Sequence, residues 1–498
     1  MNDLIDYADI QGLLRFGHGR LTRARFALLR VRDASAARAW LRSAPVTDAQ
    51  AVQPPPDTAL QLAFTAPGLA ALGVPTAVID GFSIAFRSGM AHDSRARQLG
   101  DSGANAPATW QWGGPDDQVD VLAMFYARPE AFDDFVVATT GPPWQQAFDV
   151  RWLETEHLDG IEPFGFADGI SEPKPDWALE RRPAHREYAY GNQLALGEFV
   201  LGYRNEYGLY TDRPLLASDA RSASLPAAVE APDRKDLGRN GTYLVLRQLE
   251  QDVRGFWQFM HRTSGGDADA ADAIASAMVG RRRDGTPLAA TRSEPIPGID
   301  DTPAQARLNR FTYDEDAAGA RCPYGAHVRR ANPRNADFPS RPRSLLRKLL
   351  VMLGFATPGF RDDLVSSVRF HRILRRGRPY GGALDPQAAL GPAPADEAPR
   401  GLFFVCLNAN IARQFEFVQN AWMASSTFSG LTGESDPLLG NRQPLANGTP
   451  TCAFTRQRDG ELRDRVEGLP RFVTVRGGAY FFLPGLRALR YIAHDEDA

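Results

Sequence analysis

The chain has 498 residues, of which 43% are hydrophobic and 23% are charged, and its formal net charge is -3. This composition is ordinary for a globular protein, and the length exceeds one typical core, so two domains or one duplicated unit are expected. A charge this close to neutrality gives no support for nucleic acid or an anionic membrane as a partner.

Cysteine usage and the N-terminal segment bear on the compartment. The three cysteines are widely spaced and form no CxxC motif, which gives no support for a zinc cage or a disulfide framework. No basic stretch precedes an apolar run near the N-terminus, and no apolar run approaches membrane-spanning length. We therefore expect a cytoplasmic protein without a membrane partner.

Strands and helices alternate in the first half of the chain. Residues 23–32 predict a central strand, because both faces carry apolar side chains, and Asp33 can cap a helix over 34–42. The later elements are a strand near 60–64, a short helix after Pro67, a loop over 100–117, a strand over 119–126, a helix over 129–137 and a strand over 148–155. The order β-α-β, β-α-β is typical of a ferredoxin-like unit.

The second half repeats this alternation after a long loop over 172–236. Its predicted elements are a strand over 241–250, a helix over 251–261, a small helix and a long excursion within 265–305, strands over 368–375 and 401–407, a helix over 411–423, and a hairpin over 472–483 that turns at Gly477-Gly478. We therefore predict structural duplication, with one unit over residues 1–236 and a second over 237–498.

Residues 161–173, IEPFGFADGISEP, hold one aspartate between two glycines, with prolines on either side. Glycine permits backbone angles that other residues avoid, and proline stiffens the flanks. The pattern predicts a rigid, irregular loop that fixes Asp168. Taken alone, an ordinary Asx turn is the simpler interpretation.

Two later stretches carry basic residues in unusual contexts. His327 lies in CPYGAHVRRANPR, where small residues precede it and arginines that can meet carboxylates follow it. Residues 369–381 predict a strand on which Arg369, His371, Ile373 and Arg375 share one face. A structural histidine and a solvated edge strand are the simpler alternatives when each stretch is taken alone.

Together these stretches resemble the dye-decolourising peroxidase family of haem enzymes, in its long bacterial and fungal-like form. Residues 165–169 fit the family's GxxDG motif, 322–334 its proximal-histidine segment and 373–381 its distal-arginine segment. Residues 9–12, 400–405 and 414–417 also match, so the resemblance extends from residue 9 to about 440. It implies an α+β fold of two ferredoxin-like units, in the dimeric α+β barrel-like superfamily, with haem b in the second unit.

The resemblance also implies the roles of particular residues. Asp168 would be the distal base and Arg375 the fixed charge that stabilises the peroxide anion. His327 would bind the iron, with a carboxylate on its other ring nitrogen; Asp436 is our choice for that carboxylate and Glu434 the alternative. The remaining assignments are Leu402 and Phe404 in the distal pocket and Arg334 at a haem propionate.

The implied activity is reduction of hydrogen peroxide, through a ferryl intermediate, with oxidation of a bulky aromatic, phenolic or dye reductant. The family oxidises bulky dyes at surface Tyr or Trp, but this sequence does not single out one of its 13 Tyr and 8 Trp. A homo-oligomer is left open. Two alternatives stand: a haem-binding or haem-handling protein with little turnover, and a non-haem protein in which His327 and Asp168 are structural.

Overall fold

The computed structural model describes residues 5–180, 190–291, 307–334, 368–457 and 463–494, with residues 296, 299 and 353 besides. The strands in this part of the chain are β1 Arg23–Val31, β2 Thr58–Phe64, β3 Val121–Ala127, β4 Phe148–Glu154, β5 Lys174–Pro175, β6 Gln193–Leu194, β7 Leu215–Leu216, β8 Lys235–Asp236, β9 Thr242–Gln251, β10 Leu374–Arg375, β11 Arg378–Tyr380, β12 Gly401–Asn408, β13 Phe454–Arg456, β14 Asp464–Val466 and β15 Val473–Leu483. Nine of them form one antiparallel sheet, and the others pair two by two.

Most helices pack around this sheet. Those in the described residues are α1 Leu13–Phe16, α2 Ala34–Ser43, α3 Ala66–Ala71, α4 Thr76–Ile79, α5 Ile84–Ser88, α6 Asp93–Leu99, α7 Phe132–Thr139, α8 Pro142–Ala147, α9 Val253–Thr263, α10 Ala268–Val279, α11 His327–Ala331, α12 Pro386–Ala389 and α13 Leu486–Ile492, with π-helical segments Ala412–Glu416 and Val418–Ala424. No helix in these ranges is long and apolar enough to cross a membrane.

The predicted α+β fold with two ferredoxin-like units is confirmed. In the large sheet the strand order is β10-β12-β9-β15-β2-β3-β1-β4. The first half contributes β2-β3-β1-β4, with α2 after β1 and α7 after β3, which is the ferredoxin-like order. The second half repeats that order with β9, β10 and β11, β12 and β15. Within the described residues the sheet stays open and forms no closed barrel.

The two halves join edge to edge, where Phe482 of β15 pairs with Phe64 of β2. Apolar side chains from both halves fill the core on each face of the sheet. The division into units 1–236 and 237–498 stays a prediction, because the shared sheet crosses that boundary.

The predicted strand over 368–375 is wrong for most of its length. Val368–Phe370 form a 3-10 turn, and only Leu374–Arg375 pair with β12. The shared face proposed for Arg369, His371, Ile373 and Arg375 therefore does not exist. Polar contacts explain the difference: His371 Nδ1 donates to the Arg413 carbonyl at 2.6 Å, which draws this backbone away from the sheet.

The predicted hairpin over 472–483 is also wrong, because β15 runs straight through Gly477-Gly478 with a bulge between Val475 and Gly477. The two glycines are needed for close packing and not for a turn. A Cβ on Gly477 would lie 2.4 Å from the Trp112 ring, and one on Gly478 would lie 2.6 Å from Met90 Sδ. The predicted helix over 411–423 is present, but it is wound as the two π-helical segments.

Candidate active site

The loop that carries Asp168 is held by backbone hydrogen bonds and one half-buried glutamate. Gly165 and Gly169 have φ values of +93° and +71°, in the region that favours glycine. The Asp168 N–H donates to the Gly160 carbonyl at 2.9 Å. The Glu162 carboxylate accepts from the N–H groups of Phe164 and Phe166, both at 3.0 Å. The loop is therefore more than an isolated Asx turn, since its own side chains fix its path.

Arg375, the last residue of β10, contacts Asp168. Its Nη1 lies 3.1 Å from Asp168 Oδ1. Burial raises the pKa of Asp168, but Arg375, the Gly169 N–H and His327 together outweigh burial and hold that pKa below the usual value. The Asp168 side chain is 41% exposed, because it faces a cavity that Arg375 also lines.

Sequence reasoning missed Glu172, which binds the same guanidinium. Glu172 Oε1 accepts from Arg375 Nε at 2.8 Å and Nη2 at 2.7 Å, and Oε2 accepts from the Arg375 backbone N–H at 2.8 Å. Glu172 lies four residues after Asp168 on the same loop segment. Closeness to Asp168 in sequence was the signal that could have identified Glu172. Its pairing with Arg375, however, depends on the position of β10 in the fold.

His327 is the first residue of α11 and pairs with Asp436. His327 Nδ1 lies 3.1 Å from Asp436 Oδ2 and 3.3 Å from Oδ1. Burial lowers the pKa of His327, but the Asp436 carboxylate outweighs it and raises that pKa above the usual value. The structure brings Asp436 to the ring, whereas Glu434 accepts from Thr455 N–H at 2.9 Å and pairs with Arg465 at 3.0 Å.

Arg330, a buried residue of α11, holds the loop of Asp436 against this helix. Arg330 donates to the backbone carbonyls of Trp422 at 2.7 Å and Glu434 at 2.6 Å. The Asp436 side chain is fully buried, and its Oδ1 also accepts from the N–H groups of Leu438 at 2.9 Å and Leu439 at 2.8 Å. The carboxylate is therefore fixed in place independently of the histidine.

One cavity brings these groups together. His327, Asp168 and Arg375 line it, as do Leu402 and Phe404. The rest of its wall is largely apolar, with Ala331, Phe415, Val418, Leu438, Val473 and Val475. A wall of this kind with a few convergent polar groups is typical of a cofactor site.

Five further charged residues that sequence reasoning did not single out line the same cavity: Asp101, Glu162, Arg247, Arg281 and Arg372. Asp101 and Arg247 pair with each other at 2.5 Å. Burial raises the pKa of Glu162 to about 7. Arg281 and Arg372 have no carboxylate partner among the described residues; Arg281 donates to the Gly285 carbonyl at 2.7 Å, and Arg372 to the Tyr190 hydroxyl at 3.0 Å. The cavity therefore has two guanidinium groups whose charge no acid in the described part of the chain neutralises.

Arg334 does not line the cavity. It is fully buried, and it donates to the carbonyls of Asn309 at 3.0 Å and Phe311 at 2.8 Å and to the Ser171 hydroxyl at 3.1 Å. Ser171 itself lines the cavity. The proposed contact of Arg334 with a propionate stays a prediction.

Named peroxidases are similar in sequence to this chain. No protein-family model matches the chain. The multifunctional dye peroxidase DyP2 of Amycolatopsis is 30% identical over 349 residues, 68% of this chain and 62% of that protein. Peroxidase 2 of Mycetinis scorodonius is 27% identical over 98% of this chain and 87% of its own length. The dye-decolorizing peroxidase AauDyP1 of Auricularia auricula-judae is 27% identical over 90% of this chain and 78% of its own length.

Solved structures are similar in fold. A crystal structure of the Auricularia auricula-judae enzyme has a TM-score of 0.70 at 22% identity and covers 98% of this chain and 100% of that one. The DyP-type peroxidase of Anabaena has a TM-score of 0.68 at 22% identity, covering 98% of this chain and 94% of that one. Fold and site together define an α+β chain in which a histidine–carboxylate pair and an arginine–carboxylate pair share one apolar cavity. The chain belongs to the dye-decolourising peroxidase family.

Proposed function

We propose that this chain is a haem b peroxidase that reduces hydrogen peroxide and oxidises bulky phenolic or dye molecules. The observation that carries the proposal is the single cavity lined by His327, Asp168 and Arg375. The names of its relatives support it, since they are dye peroxidases. One structural neighbour is a dye-decolorizing peroxidase in complex with 2,6-dimethoxyphenol, which suggests the class of reductant.

The residues of the cavity fit haem by their chemistry. Because Asp436 occupies Nδ1 of His327, Nε2 is the ring nitrogen available to bind iron. Leu402, Phe404 and the other apolar residues suit a flat, apolar ring system. Arg281 and Arg372, which pair with no acid among the described residues, supply the positive charge that two propionate groups require. When bound, haem supplies the iron at which peroxide is reduced. It also stores the oxidising equivalents that are then used to oxidise the reductant.

Three side chains have separate roles in the reaction with peroxide. Asp168 is ionised at ordinary pH, because Arg375 lowers its pKa, so it can take a proton from peroxide and return it to the departing oxygen. Arg375 remains protonated and stabilises the negative charge that develops as the peroxide bond breaks. Asp436 holds the His327 ring in one orientation and increases its basicity as a ligand.

Peroxide-dependent oxidation of 2,6-dimethoxyphenol tests the proposal. The haem-loaded protein should oxidise this phenol only when hydrogen peroxide is present. The rate should stay high in mild acid, because an aspartate with a lowered pKa remains ionised there. A protein that takes up haem but gives no peroxide-dependent oxidation would be a haem-binding or haem-handling protein. One that takes up no haem would favour structural roles for His327 and Asp168.

Replacing Asp436 by asparagine should weaken haem binding about 10- to 100-fold, the effect typical of removing a partner from a metal-bound histidine. It should also raise the reduction potential of the iron, because a neutral amide donates less electron density through the ring. Asparagine keeps an oxygen for the Leu438 and Leu439 amides, so the loop should stay folded. Haem titration and spectroelectrochemistry measure the two effects.

Glu434→Gln is the matched control for that variant. Glu434 is buried and lies two residues earlier, but it bonds to Thr455 and Arg465. Its potential should equal that of the wild-type protein. Equal potentials for Asp436→Asn and Glu434→Gln would rule out a role for Asp436 in tuning the iron.

A further inference from the structure

Arg375 is held at three of its nitrogen atoms by one carboxylate. Glu172 accepts from Nε, Nη2 and the backbone N–H at 2.7 to 2.8 Å, which leaves Nη1 to face Asp168 at 3.1 Å. One carboxylate oxygen, Oε1, accepts from both Nε and Nη2, and this restricts the plane of the guanidinium as well as its position. The orientation of Nη1 in the cavity is therefore set by Glu172, a residue that does not line the cavity itself.

Glu172 also ties the segment of Asp168 to the sheet. Its side chain bonds to the backbone of β10, and its carbonyl accepts from Asn192 Nδ2 at 2.7 Å. Since Glu172 and Asp168 are on one short segment, a displacement of β10 would move Arg375 and this segment together. The separation of Asp168 and Arg375 is thus maintained by a contact outside the cavity.

The same contact changes the charge of the distal pair. Arg375 faces two carboxylates, so the three side chains carry a net charge of about -1 when all are ionised. The other ionisable groups whose charges act on Asp168 or Arg375 are Glu162, His327, Arg281 and Arg376. A like charge near Asp168 opposes its ionisation, so Glu172 offsets part of the effect of Arg375 on that carboxylate.

We propose that Glu172 is a positioning residue of the peroxide site, which fixes the Arg375 guanidinium plane and sets the net charge of the distal pair. The inference rests on the proposed function of the cavity. The proposal predicts that two variants of Glu172 affect these two roles differently. Glutamine keeps one oxygen, which can still accept from Nε and Nη2, but it removes the charge and the hydrogen bond to the Arg375 backbone N–H, because its NH2 group cannot accept. Alanine removes both the charge and the hydrogen bonds.

Glu172→Gln should move the acid limb of the peroxide reaction about one unit to lower pH, since a negative charge near Asp168 is lost. Its rate on the plateau should stay close to wild type. Glu172→Ala should lower the plateau rate about tenfold or more, because Arg375 is no longer held in line. Stopped-flow absorbance of the haem-loaded proteins after mixing with hydrogen peroxide, across acidic pH, measures both quantities.

The C–O stretch of the ferrous carbon monoxide complex provides a readout without peroxide. A less compensated Arg375 in Glu172→Gln should lower the stretching frequency, whereas a misplaced one in Glu172→Ala should raise or broaden it. This measurement needs bound haem but no turnover, so it decides on Glu172 even in a protein that fails the phenol oxidation test.

Glu397→Gln is the matched control. Glu397 is 20% exposed, against 22% for Glu172, and it also binds two guanidinium nitrogens, Arg254 Nε at 2.7 Å and Arg400 Nη2 at 2.9 Å, outside the cavity. This variant should match wild type in both measurements. If Glu172→Gln behaves as Glu397→Gln does, with an unmoved acid limb and an unmoved C–O stretch, the proposal is overturned.

Discussion

Replacing Asp168 by asparagine should abolish the acid limb of the reaction with hydrogen peroxide and lower its second-order rate by about 100- to 10,000-fold, the range typical of a lost general base. Asp168 acts as a base only when ionised. Burial raises its pKa, but Arg375, the Gly169 N–H and His327 together outweigh burial and hold the pKa below the usual value. The wild-type rate should therefore be full above that pKa and fall as the pH drops through it.

Arg375→Leu should lower the same rate about 100-fold or more, as expected when a group that stabilises developing charge is lost. Here the acid limb should persist and move to higher pH, because the cation that favours ionised Asp168 is gone. We expect this variant to lose more activity than Asp168→Asn, since a water molecule can relay a proton but cannot replace a fixed cation.

The shape of the pH profile distinguishes the two roles where the size of the effect does not. Stopped-flow absorbance after mixing with hydrogen peroxide, from neutral to strongly acidic pH, gives the profiles. Asp159→Asn is the control, because Asp159 is an exposed acid on the preceding turn and should leave rate and profile unchanged. A wild-type acid limb in Asp168→Asn would mean that another group supplies the base.

Replacing His327 by alanine should remove the ring nitrogen that the proposed function assigns to iron, and tightly bound haem should be lost with it. The buried Asp436 carboxylate would lose its partner as well, so a fall in thermal stability of the apo protein is expected. Titration of the apo protein with haem, followed at the Soret band, measures the loss. Added imidazole should restore part of the band by occupying the vacated position.

His371→Ala is the matched comparison, because His371 also lines the cavity. Its Nδ1 lies 2.6 Å from the Arg413 carbonyl, and its ring stacks on Phe417 with centroids 3.6 Å apart. These contacts hold the ring in the packing of this region, so the variant should keep a wild-type Soret band. Loss of haem from His371→Ala together with a wild-type band in His327→Ala would reverse the assignment.

Much of the scaffold follows from local sequence. Strands β1 to β4, β9 and β12 were predictable, because apolar residues recur with the two-residue period of a strand and Gly, Pro or Asp lie at their ends. Asp33 caps α2 as expected, with its side chain accepting from the Ala36 N–H at 3.0 Å. The candidates Asp168, His327 and Arg375 could be selected as well, because several stretches match the family's motifs in the same order, although each stretch alone favours a simpler interpretation.

Contacts between segments that are distant in sequence determined the features that local sequence does not predict. The Gly477-Gly478 pair has the composition of a turn, yet it lies within β15 because Trp112 and Met90 pack where side chains would otherwise be. Nothing local distinguishes Asp436 from Glu434 as the partner of His327; the choice depends on how Arg330 docks their loop against α11. The bond between Glu172 and Arg375 joins residues 203 positions apart. Local periodicity determines which elements form, whereas the pairing of charged groups requires the folded arrangement of those elements, because the partners come within reach only where packing brings distant segments together.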